Sequence, residues 1–248
     1  MMIWNVIEFE SLVQVYYGKE QLKKLIRPLS SVSWKLMLAY YHADESKRLY
    51  RSYFSEESIE GTVEELVHVV GQVLKAASGS EEADKFKEAG ILSEAHLIAY
   101  AQSLHSIADI LAKVIYHGIN LENNLTKPIP AYKQNLHEVN EGMRKEKFAL
   151  DVVKAIDALK QSPEFLYLEA YVNTTKHYSL IDVIHQISLK SNTTPRYGIQ
   201  ILPFRYKGQS FHEKWADDFA IRDFQTIREN IICVGSELNR FLRNMAVV

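Results

Sequence analysis

The sequence predicts a mainly α-helical bundle with a β-hairpin inserted before the last long helix. Apolar residues recur every three to four positions along most of the 248 residues, which is the period of helices that bury one face. In the last third of the chain, two short runs alternate apolar and polar residues on either side of a turn-rich joint, which is typical of a hairpin. The helical period then resumes.

The first part of the chain is predicted to form short helices separated by glycine and proline. Gly18 is expected to end the first helix and Pro28 the second, because helix interiors tolerate neither residue well. Gly90 is expected to end a short charged helix in the same way. The predicted helices span residues 3–17, 19–27, 33–54, 55–75 and 81–89.

The second part is predicted to contain the longer helices and the hairpin. Ser93 is expected to cap a long helix, and Ser162 followed by Pro163 has the sequence of a helix start. The predicted elements are helices at 94–117, 136–160, 163–180 and 212–245, and a hairpin at about 183–206.

The longest segment without helical periodicity is residues 120–132, which hold prolines and several asparagines. It can be a domain boundary or a crossover between two halves of one bundle. We predict one domain over residues 1–248, in which 1–90 are a helical lead-in and 91–248 form the bundle with its hairpin.

Composition and charge exclude several classes of protein. The 29 Lys and Arg residues nearly balance the 31 Asp and Glu residues, so any contact with nucleic acid is expected to be local. A single cysteine cannot form an internal disulfide bond and fits a reducing compartment. Because neither a signal peptide nor a membrane-spanning apolar run is recognisable, we predict a cytoplasmic protein with no membrane partner.

Polar residues form a stripe along one face of the predicted helix 94–117. Gln102, His105 and Asp109 belong to it, and the last two lie four residues apart, where their side chains can touch. An Asp one turn from a His can fix the imidazole tautomer and raise its basicity. The stripe is either a solvent-facing surface or, because it carries few full charges, a polar cleft or subunit interface.

A second polar face is predicted on the helix that follows Pro163. Glu169, Asn173 and His177 recur every four residues, and Lys176 lies beside them. The cation and the amide can bind a phosphate while the imidazole transfers a proton. The alternative is that His177 only interacts with the dipole at the C-terminus of the helix.

Other chemistry finds little support in the sequence. The nine histidines are scattered, with no HExxH motif and no cysteine cluster, so neither a metal site nor a cofactor is predicted. A glycine-rich phosphate-binding loop and a G-x-S-x-G motif are both absent. The hairpin aromatics Tyr197, Phe204 and Tyr206 alternate with basic residues and can form a half-buried strand face or hold single-stranded nucleic acid.

The segment YVNTTKHYSLIDV, after a helix opened by SPE, resembles the last motif helix of HEPN-like helical domains. The earlier helix AYAQSLHSIADILAKVIYHGI is similar to the polar-striped core helix of a divergent bacterial branch of that superfamily. The resemblance covers residues 90–248. It implies a helical bundle that forms a homodimer and, as in the active branches, a metal-independent ribonuclease.

On this resemblance, His177 matches the catalytic histidine, and Asn173 stands four residues earlier, where active families often carry Arg. Because an amide cannot act as the cationic clamp that Arg provides, Lys176 is assigned the phosphate contact and Asn173 an orienting hydrogen bond. The predicted supporting residues are Asp109, His105, Gln102 and Glu169.

The functional prediction is therefore an HEPN-like dimer that binds RNA, with or without cleaving it, and needs no metal. The alternative is a non-catalytic homodimeric interaction module whose polar stripes contact the partner. The 14 tyrosines leave open a third hypothesis, a helical bundle that binds a small molecule, although their spacing does not indicate which ligand.

Overall fold

The computed structural model describes residues 4–54, 67, 69–71, 74, 81–188 and 196–245. It confirms the predicted fold class, because helices dominate and a small antiparallel sheet precedes the last long helix. The predicted helix at 55–75 falls mostly outside the described residues, as does most of the hairpin joint at 191–198. The helices are α1 (Val6–Phe54), α2 (Glu81–Gly118), α3 (Leu121–Asn124), α4 (Leu136–Lys145), α5 (Leu150–Gln161), α6 (Pro163–His177) and α7 (Phe224–Met245), with a 3-10 turn at Ala131–Lys133 and a π-helical turn at Asp218–Asp223.

The strands form two small antiparallel sheets. They are β1 (Val183–Ser188), β2 (Arg196–Ile201), β3 (Phe204–Tyr206), β4 (Gln209–Phe211) and β5 (Lys214–Trp215). The first sheet has the order β1-β2-β5, and the second pairs β3 with β4. The predicted second strand of the hairpin is interrupted at Pro203, because proline has no N–H to continue the ladder.

The chain forms two compact units, each built from segments that are distant in sequence. Unit 1 comprises the described residues of Met1–Leu38, Ser103–Leu168 and Asp223–Val248. Unit 2 comprises those of Ala39–Gln102 and Glu169–Arg222. The single domain over residues 1–248 stays a prediction.

Unit 1 is a helical bundle in which α4, α5 and α7 pack together. α7 buries Ile227, Ile231 and Leu238 at helical spacing, which is the face that its sequence pattern predicts. Each such side chain contributes about 1.5–3 kcal/mol when it is fully buried. Gly118 allows a close approach, since a Cβ there would lie 2.4 Å from Cζ of Phe9.

Residues distant in sequence also meet in unit 1 along a polar contact that we call the Trp4 seam. It consists of Trp4, Asn5, Glu8, Gly235, Asn239 and Arg243. The Trp4 indole Nε1 donates to Asn239 Oδ1 at 3.2 Å, and Asn239 Nδ2 donates to the Asn5 carbonyl at 2.8 Å. Asn5 also caps α1, because its Oδ1 accepts from the Glu8 amide at 3.1 Å.

Unit 2 has an aromatic core. The ring of Phe219 lies 5.3 Å from that of Tyr100 and 5.1 Å from that of Tyr171, centroid to centroid. The Tyr100 hydroxyl donates to the Phe219 carbonyl at 2.8 Å, which satisfies its polar end inside the core. Phe204 of β3 contacts Tyr171 and stacks on Phe211 of β4, so the β3–β4 hairpin is anchored to α6.

The predicted helix end at Gly18 is confirmed, but the one at Pro28 is wrong. Gly18 has a positive φ of 82° with ψ 176°, a conformation that favours glycine, and it kinks α1. Pro28 instead lies inside the helix, where it costs about 3 kcal/mol. Burial of Leu25 and Leu29 on either side in unit 1 offsets this cost.

The predicted helix boundaries at Gly90 and Ser93 are also wrong, because α2 runs through both residues. Gly90 makes room for a neighbour: a Cβ there would lie 2.9 Å from Cε1 of His185. Ser93 is buried, and its hydroxyl donates to the Ser46 carbonyl at 2.7 Å rather than capping a helix.

Two further predicted helices differ from those observed. The helix predicted at 136–160 is divided between α4 and α5, because Lys147 and Ala149 adopt left-handed φ values of 54° and 49°. The helix predicted at 212–245 begins later, with the π-helical turn at Asp218, since β5 occupies the residues before it.

Candidate functional site

The helix that carries the predicted catalytic residues begins as its sequence indicates. The Phe165 amide donates to Ser162 Oγ at 3.2 Å, so Ser162 caps α6, and Pro163 is the first helical residue. The helix ends at His177. The functional face lies on its second half, which belongs to unit 2.

Asn173, Lys176 and His177 occupy the last turns of α6. Asn173 is half-buried, and its Nδ2 donates to the Glu169 carbonyl of the same helix at 2.9 Å. Because an amide nitrogen carries two hydrogens, one N–H remains beyond this bond. Lys176 and His177 are exposed to solvent. Their catalytic roles, and that of Asn173, stay predictions.

The β3–β4 turn lies within electrostatic range of the same face. Lys207 in this turn is held beside Tyr206, with its Nζ 5.0 Å from the ring centroid. The pKa of Lys207 is raised by a hydrogen bond to Tyr206 and by the charge of that phenol, then by Glu169 and Tyr178. The fold therefore adds an exposed cation to the face that the sequence predicted.

In the sequence, Tyr206 is recognisable only as one of the hairpin aromatics, and no pattern connects the turn with α6. The turn itself had a signal in the sequence, which is Gly208. Glycine favours the positive φ that both Lys207 and Gly208 adopt. Its position beside Glu169 depends on the packing of Phe204 against Tyr171, which no local pattern predicts.

The predicted supporting residues are divided between the units. Gln102 is exposed in unit 2, and Glu169 is half-buried there. In unit 1, His105 is half-buried with its ring 6.4 Å from that of Phe165, whereas Asp109 is exposed. The support that His105 and Asp109 would give to Asn173 stays a prediction.

A second polar cluster, which sequence analysis missed, lies where α1 and α2 pack in unit 2. Nδ1 of His42 lies 3.1 Å from Nδ1 of His96, and both residues are half-buried. Tyr41 contacts both imidazoles edge-on, at centroid distances of 5.2 and 6.1 Å. Burial, and then His96, lower the pKa of His42. The two histidines are 54 residues apart in sequence, so no motif marks them.

A cleft in unit 2 bears on the small-molecule hypothesis. Its cavity volume is about 30 Å³, and its lining includes Tyr50, Tyr197, Lys47, Arg51 and Asp217. Burial, and then Tyr197 and Asp217, raise the pKa of Tyr50. The lining mixes both signs of charge and therefore indicates no ligand class.

Neither a metal cluster nor a membrane-spanning helix is found in the part of the chain that the structure describes. These residues contain no group of three or more His, Cys, Asp or Glu side chains placed to hold a metal ion. Within the same residues, no helix is long and apolar enough to cross a membrane.

Comparison with known proteins adds no further assignment. The chain matches no protein-family model, no curated protein and no solved structure. The resemblance to HEPN-like domains therefore depends on the residues of α6 and α2 quoted above.

Proposed function

We propose that the protein is a cytoplasmic, HEPN-like RNA-binding protein whose contact surface lies at the end of α6. We call this the α6 surface: Lys176, His177, Tyr178, Tyr206 and Lys207. The observation that carries the proposal is that two lysines and a histidine are exposed on adjoining parts of unit 2.

The chemistry of the α6 surface suits a flexible, negatively charged strand. Lys176 and Lys207 supply charge for phosphates, which provides most of the affinity for nucleic acid. Tyr178 is 76% exposed, so a base can stack on its ring. Glu169 lies near Lys207 and would restrict where a phosphate can approach.

We further propose that His177 transfers the proton in metal-independent cleavage by a homodimer. A neutral imidazole takes the proton from a ribose 2′-hydroxyl, whose oxygen then attacks the adjacent phosphorus. The bond from phosphorus to the 5′-oxygen breaks, and that oxygen takes a proton from the His177 imidazolium of a second copy. Lys176 contacts the phosphate, and the second N–H of Asn173 orients it.

RNA binding is tested by fluorescence anisotropy of labelled single-stranded RNA over a series of salt concentrations. Lys176→Ala and Lys207→Ala should each weaken binding and reduce the slope of log K against log salt by about 0.7, since each removes one phosphate contact. Lys154→Ala, at an exposed lysine of α5, is the matched control. If all three variants bind RNA as tightly as the wild type, the proposal is contradicted.

Cleavage is tested by incubating RNA with purified protein in EDTA and analysing the products for cyclic phosphate ends. His177→Ala should abolish cleavage, whereas His137→Ala, at an exposed histidine of α4, should retain it. Equal cleavage by His177→Ala and the wild type, or none by either, removes the enzymatic role. RNA binding is judged separately by anisotropy.

A non-catalytic homodimer is the second candidate, and exposed apolar side chains on α1 favour it. In unit 1, Ile26 is 46% exposed, Trp34 61% and Met37 57%. Together with Val6 and Leu29 they line a shallow cleft. Contiguous exposed apolar surface marks interaction sites, and we propose a second copy of the chain as its occupant.

Sedimentation velocity tests this candidate. The wild type should sediment as a dimer and Trp34→Ser as a monomer, because the variant removes the largest exposed ring of the cleft. Val15→Ser, at another exposed apolar position of α1, should remain dimeric. A monomeric wild type contradicts the homodimer and also the cleavage mechanism that requires it.

A further inference from the structure

We propose that His42 and His96 bind one divalent transition-metal ion, such as Zn²⁺, through their Nδ1 atoms. The two imidazoles come from different helices, and their Nδ1 atoms face each other at 3.1 Å. This site lies in unit 2, and the proposal does not depend on the function proposed for the α6 surface.

The helices that carry the two histidines are fixed one turn away by a pair of buried serines. Ser46 Oγ donates to the Ser93 carbonyl at 2.8 Å, and Ser93 Oγ donates to the Ser46 carbonyl at 2.7 Å. Ser46 lies four residues after His42, and Ser93 lies three residues before His96, so each pair shares a helix face. The reciprocal bonds hold the imidazoles at a set separation, which reduces the entropy lost when an ion binds.

The separation fits a shared metal ion. Zinc–imidazole bonds are about 2.0–2.1 Å long, and two nitrogens 3.1 Å apart would then subtend about 98° at the ion. This angle lies between the octahedral and tetrahedral values, so the separation of the two nitrogens suits one ion. The remaining coordination positions would hold water.

Ligation through Nδ1 requires each imidazole to be neutral and to carry its proton on Nε2. Glu45 lies one turn from His42, and its pKa is lowered mainly by Arg48, with a smaller contribution from His96. Its carboxylate adds negative charge near the site, although Arg48 partly offsets that charge.

A hydrogen bond between the two imidazoles is the competing explanation of the same distance. In that case one Nδ1 carries a proton and donates to the other. The two explanations differ in one measurable respect, because a hydrogen-bonded pair with no metal affinity leaves its spectra unchanged when Zn²⁺ is added.

Isothermal titration of EDTA-treated full-length protein with ZnCl₂ provides the test. One ion per chain should bind in the micromolar range, and His42→Gln and His96→Gln should each weaken binding at least about tenfold. His137→Gln, at an exposed histidine of unit 1, is the matched control and should bind like the wild type. If His42→Gln and His96→Gln both bind Zn²⁺ as tightly as the wild type, the proposal is overturned.

A second measurement needs no variant and so does not depend on whether the glutamine proteins fold. In nitrogen-15 spectra of the wild type, the Nδ1 signals of two histidines should shift together on addition of one equivalent of Zn²⁺. Unchanged histidine signals at excess Zn²⁺ overturn the proposal and leave the hydrogen bond as the explanation of the pair.

Discussion

The Trp4 seam of unit 1 and the end of α6, which carries the α6 surface of unit 2, each contain an asparagine but use it differently. In the seam, Asn239 joins Trp4, Asn5 and Glu8 by hydrogen bonds, and Arg243 pairs with Glu8. At the end of α6, Asn173 bonds to the carbonyl of its own helix.

This difference separates side chains that hold the fold from side chains that remain accessible to a ligand. A buried polar group whose partner comes from a distant segment costs stability when it is removed, because the partner loses its hydrogen bond. An exposed lysine or histidine can be removed at little cost. The seam should therefore govern stability, and the α6 surface should govern binding.

The largest effect is expected from Gly235→Val in the seam. A Cβ at this position would lie 2.0 Å from Cδ2 of the Trp4 indole, so the ring must move. The free energy of unfolding, measured by urea denaturation, should fall by about 3 kcal/mol. Ser236→Ala, one residue along α7, removes a hydroxyl bonded to its own helix and should change it by less than about 0.5 kcal/mol. Similar stabilities of the two variants would contradict the close contact with Trp4.

A smaller decrease in the free energy of unfolding, of about 2 kcal/mol, is expected from Asn239→Ala. This substitution leaves the Trp4 indole N–H without its partner and removes one of two hydrogen bonds to the Asn5 carbonyl, which still accepts from the Phe9 amide. Asn244→Ala, at an exposed position of the same helix, is the control and should unfold like the wild type. If both variants unfold at the same urea concentration, the seam does not stabilise unit 1.

The two regions also differ in how far the sequence could predict them. Helical period and cap residues predicted α6 and its start at Ser162, because capping is a local interaction. The breaks predicted at Pro28, Gly90 and Ser93 were wrong because packing overrode local preference. At Gly90, for instance, the small residue accommodates the ring of His185 from β1.

Within the candidate site, spacing predicted which residues share a face of α6 but not what surrounds them. Lys207 lies near Glu169 because two aromatic contacts anchor the β3–β4 hairpin, and these involve residues far apart in sequence. Likewise, the pairing of His42 with His96 depends on how α1 and α2 pack in unit 2.

His117 belongs to unit 1 but not to the Trp4 seam, and we expect it to make the stability of the protein depend on pH. Its Nδ1 is buried, and no described group hydrogen bonds to it. Burial, then Lys24 and, more weakly, Lys113 lower the pKa of His117, while Glu122 opposes them. The pKa of His117 in the unfolded chain is about 6.5, so below this pH the unfolded chain binds more protons than the folded chain. The stability of the folded state therefore decreases as the pH falls.

Thermal unfolding of the wild type and His117→Gln at several pH values checks this. The melting temperature of the wild type should fall more steeply below about pH 6.5 than that of the variant, because glutamine does not titrate. If the melting temperatures of the two proteins change in parallel with pH, the burial of His117 does not make stability depend on pH.

The smallest effect on stability is expected at the α6 surface, and it completes the comparison. Lys176→Ala and His177→Ala should each change the free energy of unfolding by less than about 0.5 kcal/mol, since both side chains are exposed. The same variants should impair RNA binding or cleavage, whereas Asn239→Ala should bind RNA normally under conditions where it is folded. If instead His177→Ala lost as much stability as Asn239→Ala, the imidazole would be a structural partner like those of the seam, and a loss of activity in that variant could not be assigned to proton transfer.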